Sequence, residues 1–138
     1  MRKLVLGAAA LAVLGACAQQ PPAPLEGDAL VARGDYLVNG VVLCGDCHTP
    51  RGAGGEPLTA EALHGADIGA GPPGFASYAP PLAGGPVNYT EEQFIAFLQT
   101  GVRPDGSHTR PPMPPYRLNE EDARAVAAYI ATVPRAAE

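Results

Sequence analysis

A small helical domain with long, stiff turns is what this 138-residue chain predicts, and three observations predict it. Apolar residues recur at helical spacing over Asp28–Val38, after Thr90, and after Asn119. Gly (17) and Pro (16) together make nearly a quarter of the residues, and most of them fall between those stretches. The third observation is Cys44-Gly45-Asp46-Cys47-His48, a Cys-x-x-Cys-His run that reads as the attachment site of one covalent c-type haem.

One turn of helix puts two thiols three residues apart on the same side, about 5–6 Å from each other. That suits addition to two vinyl groups on one edge of a macrocycle. His48 follows at once and can offer its imidazole to the iron. A bare Cys-x-x-Cys has two other readings, a thioredoxin-like redox pair and half of a zinc site. The first wants a βαβ setting, and no strand–helix–strand pattern surrounds the motif. The second wants another ligand pair, yet the third cysteine, Cys17, stands alone. With 46% apolar residues, 6% aromatic ones and no Trp, the macrocycle would be the largest apolar object in a modest core.

In chain order, residues 1–16 read as a signal peptide. Arg2 and Lys3 precede an apolar run from Leu4 to Leu14, which is too short to span a bilayer. Leu14-Gly15-Ala16-Cys17 resembles the lipobox of bacterial lipoproteins, which implies acylation of Cys17. It also implies a place in the bacterial cell envelope, lipid-anchored and periplasmic. Ala18 rather than Asp after the cysteine favours the outer membrane. An ordinary secretory signal with a coincidental cysteine is the alternative.

Removal of residues 1–16 takes away Arg2 and Lys3, leaving seven Arg against 14 Asp+Glu, or 7 − 14 = −7. So acidic a chain lacks the basic footprint that nucleic acid requires. Attachment to a membrane would come through the lipid anchor. Residues 17–27 are the lipidated N-terminus and a linker, with Pro21, Pro22 and Pro24. An extended Pro-rich tether of this length reaches roughly 30 Å. Residues 28–138 are the folded domain.

The first helix, Asp28–Val38, presents Leu30, Val31, Gly34, Leu37 and Val38 on one face. Gly34 is unfavourable there unless another helix approaches closely. Thr49–Leu82 reads as loop, with a short helix near Thr59–His64. Thr90 and Gln93 form a capping box for the next helix, and Gly101 stops it. Asn119 caps the last helix, Glu120, Glu121 and Asp122 suit its first turn, and Pro134 ends it. Its apolar stripe is Val126, Ala127, Tyr129, Ile130 and Val133. Ala123, Ala125, Ala127 and Ala128 would let a neighbour come near, and Gly34 is the natural contact.

Between these last two helices, Pro111, Pro112, Pro114 and Pro115 flank Met113, the one methionine after Met1. Proline prevents helix and stiffens the loop. A rigid loop holding a soft thioether is what a second axial iron ligand needs. His108 and His64 are the alternative sixth ligands.

The stretches GDYLVNG (34–40), CGDCHTPR (44–51), RPDGSH (103–108) and PPMPPY (111–116), followed by the capped last helix, resemble class I c-type cytochromes. The nearest are single-domain cytochromes and the cytochrome subunits of bacterial membrane dehydrogenases. The resemblance covers Asp28–Val133. It implies an all-α, cytochrome c-like fold wrapped around one haem c, with the first and last helices crossing near the haem edge. It implies His48 and Met113 as axial ligands, and an electron carrier rather than an enzyme. Its partners would be redox proteins, a dehydrogenase or a terminal oxidase or reductase. Where relatives tend to have Asn after Ala-Pro, this chain reads Ala79-Pro80-Pro81-Leu82. Arg51, Tyr116 and Arg117 are candidates for the haem propionates. Two competing functions remain in view. One is a sensor or peroxidase-like enzyme with an open sixth position, for which only His108 and Arg110 approach a distal pair. The other is a fixed electron wire within a dehydrogenase complex.

Overall fold

The computed structural model describes residues 23–137. Cys17 and the targeting segment lie outside them. Four helices carry the fold: α1 (Gly27–Gly40), α2 (Gly45–His48, a single turn), α3 (Glu91–Thr100) and α4 (Glu120–Thr132). The first begins one residue inside the stretch read as linker and runs two residues past Val38.

The crossing of α1 and α4 is the largest helix–helix contact, and Gly34 makes it close. A Cβ at that position would collide with the Ala125 carbonyl and stand 2.6 Å from the Tyr129 Cβ. Polar ties flank the crossing on the water side. Arg33 Nε donates to Asp122 Oδ1 at 2.8 Å, and Asn39 Nδ2 donates to the Tyr129 hydroxyl at 2.9 Å. Leu37 and Val38 of α1 and Val126 and Ile130 of α4 are buried behind them.

Both later helices start as their caps dictate. Thr90 Oγ1 accepts from the Gln93 N–H at 3.2 Å while Gln93 Oε1 accepts from the Thr90 N–H at 2.9 Å. Asn119 Oδ1 accepts from the Asp122 N–H at 2.8 Å. At the far end of α3, Gly101 takes the left-handed conformation, φ 71°, that closes a helix without a Cβ clash. Phe94, Phe97 and Leu98 point α3 into the core.

The segment between α2 and α3 differs in detail from the expected loop. It contains a single 3-10 turn, Thr59–Glu61, and a minimal antiparallel ribbon of β1 (Ala66–Asp67) and β2 (Tyr78–Ala79). Two-residue strands carry no alternation to read. They exist because the chain between them folds back and pairs Ala66 with Ala79. The ribbon leaves the helical fold class intact.

Candidate functional site

A slot opens between the Cys44–His48 turn and the proline-flanked loop. Phe94, Phe97 and Leu98 of α3 and Ile130 of α4 wall it, and Ile68 and Leu82 add to its apolar lining. It encloses about 890 Å3 free of protein atoms, counting the open mouth. Tyr89 stands edge-on to Phe94 and Phe97, with ring centroids 6.1 and 5.6 Å away.

Cys44, Cys47, His48 and Met113 all line this slot. The chain enters the motif through Leu43, whose φ of 57° is rare for a residue with a Cβ. Strain at such a point is tolerated where the surrounding structure fixes it. Both thiols are free, Cys44 buried and Cys47 half-buried. Burial pushes the Cys44 thiol up to about 11.

His48 is buried, and its Nδ1 lies 2.7 Å from the Pro80 carbonyl. A carbonyl can only accept, so Nδ1 carries the proton and Nε2 keeps its lone pair. Burial holds the imidazole below its ordinary pKa, with the Pro80 bond acting in the opposite sense. The result is a neutral ring oriented by its second nitrogen, the arrangement that metal-ligating histidines use.

Hydrogen bonds on either side of Pro80 tie the neighbouring segments together. The Thr49 hydroxyl accepts from the Leu63 N–H at 3.1 Å, and the Leu63 carbonyl accepts from Leu82 and Ala83 at 2.9 and 3.1 Å. Gly65 N–H donates to the His48 carbonyl at 2.8 Å. Leu63 adopts φ 61° to serve both neighbours. Thr49→Val strands the buried Leu63 N–H, and we expect a loss of about 1–3 kcal/mol. Thr49→Ser, which keeps the hydroxyl, should stay within about 0.5 kcal/mol of wild type. Denaturant midpoints compare the two directly.

Among the described residues, the loop bearing Met113 has two backbone ties to the rest of the fold. Ala76 N–H donates to the Pro111 carbonyl at 2.7 Å, and Leu118 N–H to Leu98 at 3.2 Å. Of the alternative ligands, His108 is exposed in a bridge with Val102 and does not line the slot. His64 turns away, its Nε2 donating to the Pro134 carbonyl at 3.0 Å.

The three propionate candidates each make hydrogen bonds to backbone carbonyls. Arg51 donates to the carbonyls of Gly55 and Asp46, Arg117 to those of Pro115 and Tyr116, and the Tyr116 hydroxyl to Val42. Among these three, Tyr116 alone lines the slot. The arginine that does reach it is Arg103, beside Tyr89. Burial raises the Tyr89 pKa while the Arg103 charge opposes the rise. Arg103 stands at the head of RPDGSH, and nothing in that stretch marks it as the residue that turns inward. An arginine next to a tyrosine at an apolar slot is a fit place for a carboxylate.

The lining thus combines an apolar slab, two thiols, a neutral imidazole, a thioether and one guanidinium. That donor set fits a flat, iron-bearing macrocycle with acidic side chains. It suits zinc poorly: among the described residues no three His, Cys, Asp or Glu side chains group to hold a metal.

Residues 31–134 match the family model described as Cytochrome c. The chain is 35% identical over 124 residues to the cytochrome c subunit of a quinone alcohol dehydrogenase from Gluconacetobacter polyoxogenes, covering 82% of this chain and 26% of that protein. It is 33% identical over 107 residues to a diheme cytochrome c-type protein of Cereibacter sphaeroides, covering 74% and 35%. The fructose dehydrogenase cytochrome subunit of Gluconobacter japonicus is 32% identical over 114 residues, covering 77% and 22%. The chain therefore spans about a quarter to a third of the length of these curated relatives.

Proposed function

The chain belongs to the cytochrome c family and is an electron-transfer haem protein with haem c as its cofactor; on that premise we propose how it holds and uses the haem. Cys44 and Cys47 would hold the macrocycle through thioethers, and His48 and Met113 would ligate its iron. The observation that carries this reading is that all four side chains line one apolar slot.

Bound there, the haem supplies an iron that cycles between the ferrous and ferric states. The chain's residues set the terms of that cycle. Pro80 keeps the His48 proton on Nδ1, so Nε2 remains the donor. Phe94, Phe97, Leu98 and Ile130 keep water from the macrocycle, and a dry site with thioether ligation raises the potential. With His48 and Met113 both serving as iron ligands, the site would move electrons and leave no position for bond-making. Arg103 offers its charge to a propionate at the rim.

We place this carrier in the periplasm of a bacterial envelope, the outer membrane favoured as its anchor, tethered by acylated Cys17 and the Pro-rich linker. Among the described residues no helix is long and apolar enough to cross a membrane. The redox partner is a dehydrogenase or a terminal oxidase or reductase. The names of the relatives, cytochrome subunits of alcohol and fructose dehydrogenases, favour the first. They also support a second reading, a wire docked permanently on such an enzyme, which co-purification from native membranes distinguishes from a free shuttle.

Fractionation tests the anchor. Cys17→Ser should retain covalent haem on denaturing gels while moving the domain to the soluble envelope fraction or leaving it unprocessed. Wild-type protein that is already soluble, with an unmodified Cys17, overturns the lipid anchor. Loss of haem staining only on Cys44→Ala plus Cys47→Ala checks the thioethers.

A further inference from the structure

We propose that Tyr116 is a positioning residue for the sixth ligand, its hydroxyl latching the Met113 loop to the segment that leads into Cys44. The inference rests on Met113 being that ligand.

Tyr116 follows Met113 by three residues, and its hydroxyl donates to the Val42 carbonyl at 3.0 Å, 74 positions away in sequence. The acceptor is well anchored. Val42 N–H donates to the Leu37 carbonyl at 2.7 Å, and Cys44 N–H to Val38 at 3.2 Å, so both hang from the buried end of α1. The loop on the other side is less firmly held. Met113 N–H closes a turn on Arg110 at 3.1 Å, a bond internal to the loop. The Pro111 carbonyl is met by Ala76, from a stretch without regular structure. The Leu98–Leu118 bond fixes the loop's exit rather than its tip. Tyr116 therefore joins the thioether-bearing loop to the motif that bears the two thiols and the imidazole. Its ring lines the slot, and burial pushes its pKa up to about 12, so the donor keeps its proton at neutral pH.

Removing one neutral hydrogen bond should raise the open-loop population about fivefold. Tyr116→Phe keeps the ring and loses only the donor. The probe is imidazole, added to the ferric protein. At saturation its binding rate is limited by release of Met113, and the variant should react about fivefold faster than wild type. Amide hydrogen exchange should speed up at Met113 and Leu118 and stay unchanged at Val126 and Ile130 of α4. An unchanged limiting rate overturns the latch, and so does acceleration shared equally by the α4 amides, which is the mark of general destabilisation. A wild type whose imidazole rate never saturates, and which lacks a sulfur–iron band, overturns Met113 ligation itself and the latch with it.

Discussion

Met113→Ala should turn an inert carrier into a ligand-binding haem protein. Met113 is the one methionine after Met1, so no other thioether can replace it. Nor is a histidine at hand. His108 is exposed in its own bridge, and His64 is held by the Pro134 carbonyl. Tyr116 lines the slot, but its hydroxyl is committed to the Val42 carbonyl. The ferrous Ala variant should therefore bind CO readily, where wild type resists it. Met113→His should instead keep the site closed and lower the potential. Imidazole favours ferric iron more than a thioether does, and axial ligation commands a range of about 0.8 V, so we expect a fall on the order of 0.2 V. Oxidised wild type should show a weak far-red sulfur-to-iron band that both variants lack. A wild type without the band that binds CO as fast as the Ala variant would falsify the carrier reading and promote the sensor or enzyme.

The parts of this site that were legible in the sequence are those whose chemistry is local. A capping box needs only Thr90 and Gln93, and both bonds are present. Asn119 acts within one turn. The small residues of α4 and the isolated Gly34 announce a close crossing because nothing else favours a glycine in mid-helix. Met113 stands out because proline excludes the ordinary core setting for a methionine. What the sequence hid depends on backbone atoms far apart in the chain. The Pro80 carbonyl reaches His48 across 32 positions, and a carbonyl has no signature in a sequence. Leu43 and Leu63 take positive φ although residue preference would assign such positions to glycine. A tyrosine near the haem motif is generic in sequence, and only the fold reveals that the Tyr116 hydroxyl meets the Val42 carbonyl. Arg103 belongs to the slot for the same reason: three arginines crowd that region, and which one turns inward is decided by packing.

Gly34 tests the other half of the fold, the crossing that puts α4 behind the slot. Gly34→Ala adds one methyl group, and it lands on the Ala125 carbonyl, which is backbone and cannot rotate away. The Tyr129 Cβ, 2.6 Å from the same point, closes the remaining exit. α4 must then shift outward, loosening the 2.8 Å Arg33–Asp122 pair and the 2.9 Å Asn39–Tyr129 bond on either side. Alanine gains about 1 kcal/mol over glycine in helix propensity. Overpacking costs about 1–3 kcal/mol and sometimes more, with the upper end expected where backbone obstructs. We expect a net loss of about 2 kcal/mol for Gly34→Ala and a larger one for Gly34→Val, read as lower denaturant midpoints with the haem still covalently attached. Gly40, at the end of the same helix, supplies the control. A Cβ there meets the Tyr36 ring at an ordinary 3.6 Å, so Gly40→Ala should be neutral or slightly stabilising. Should the two alanine variants unfold at the same midpoint, close approach at Gly34 is not what holds α1 to α4.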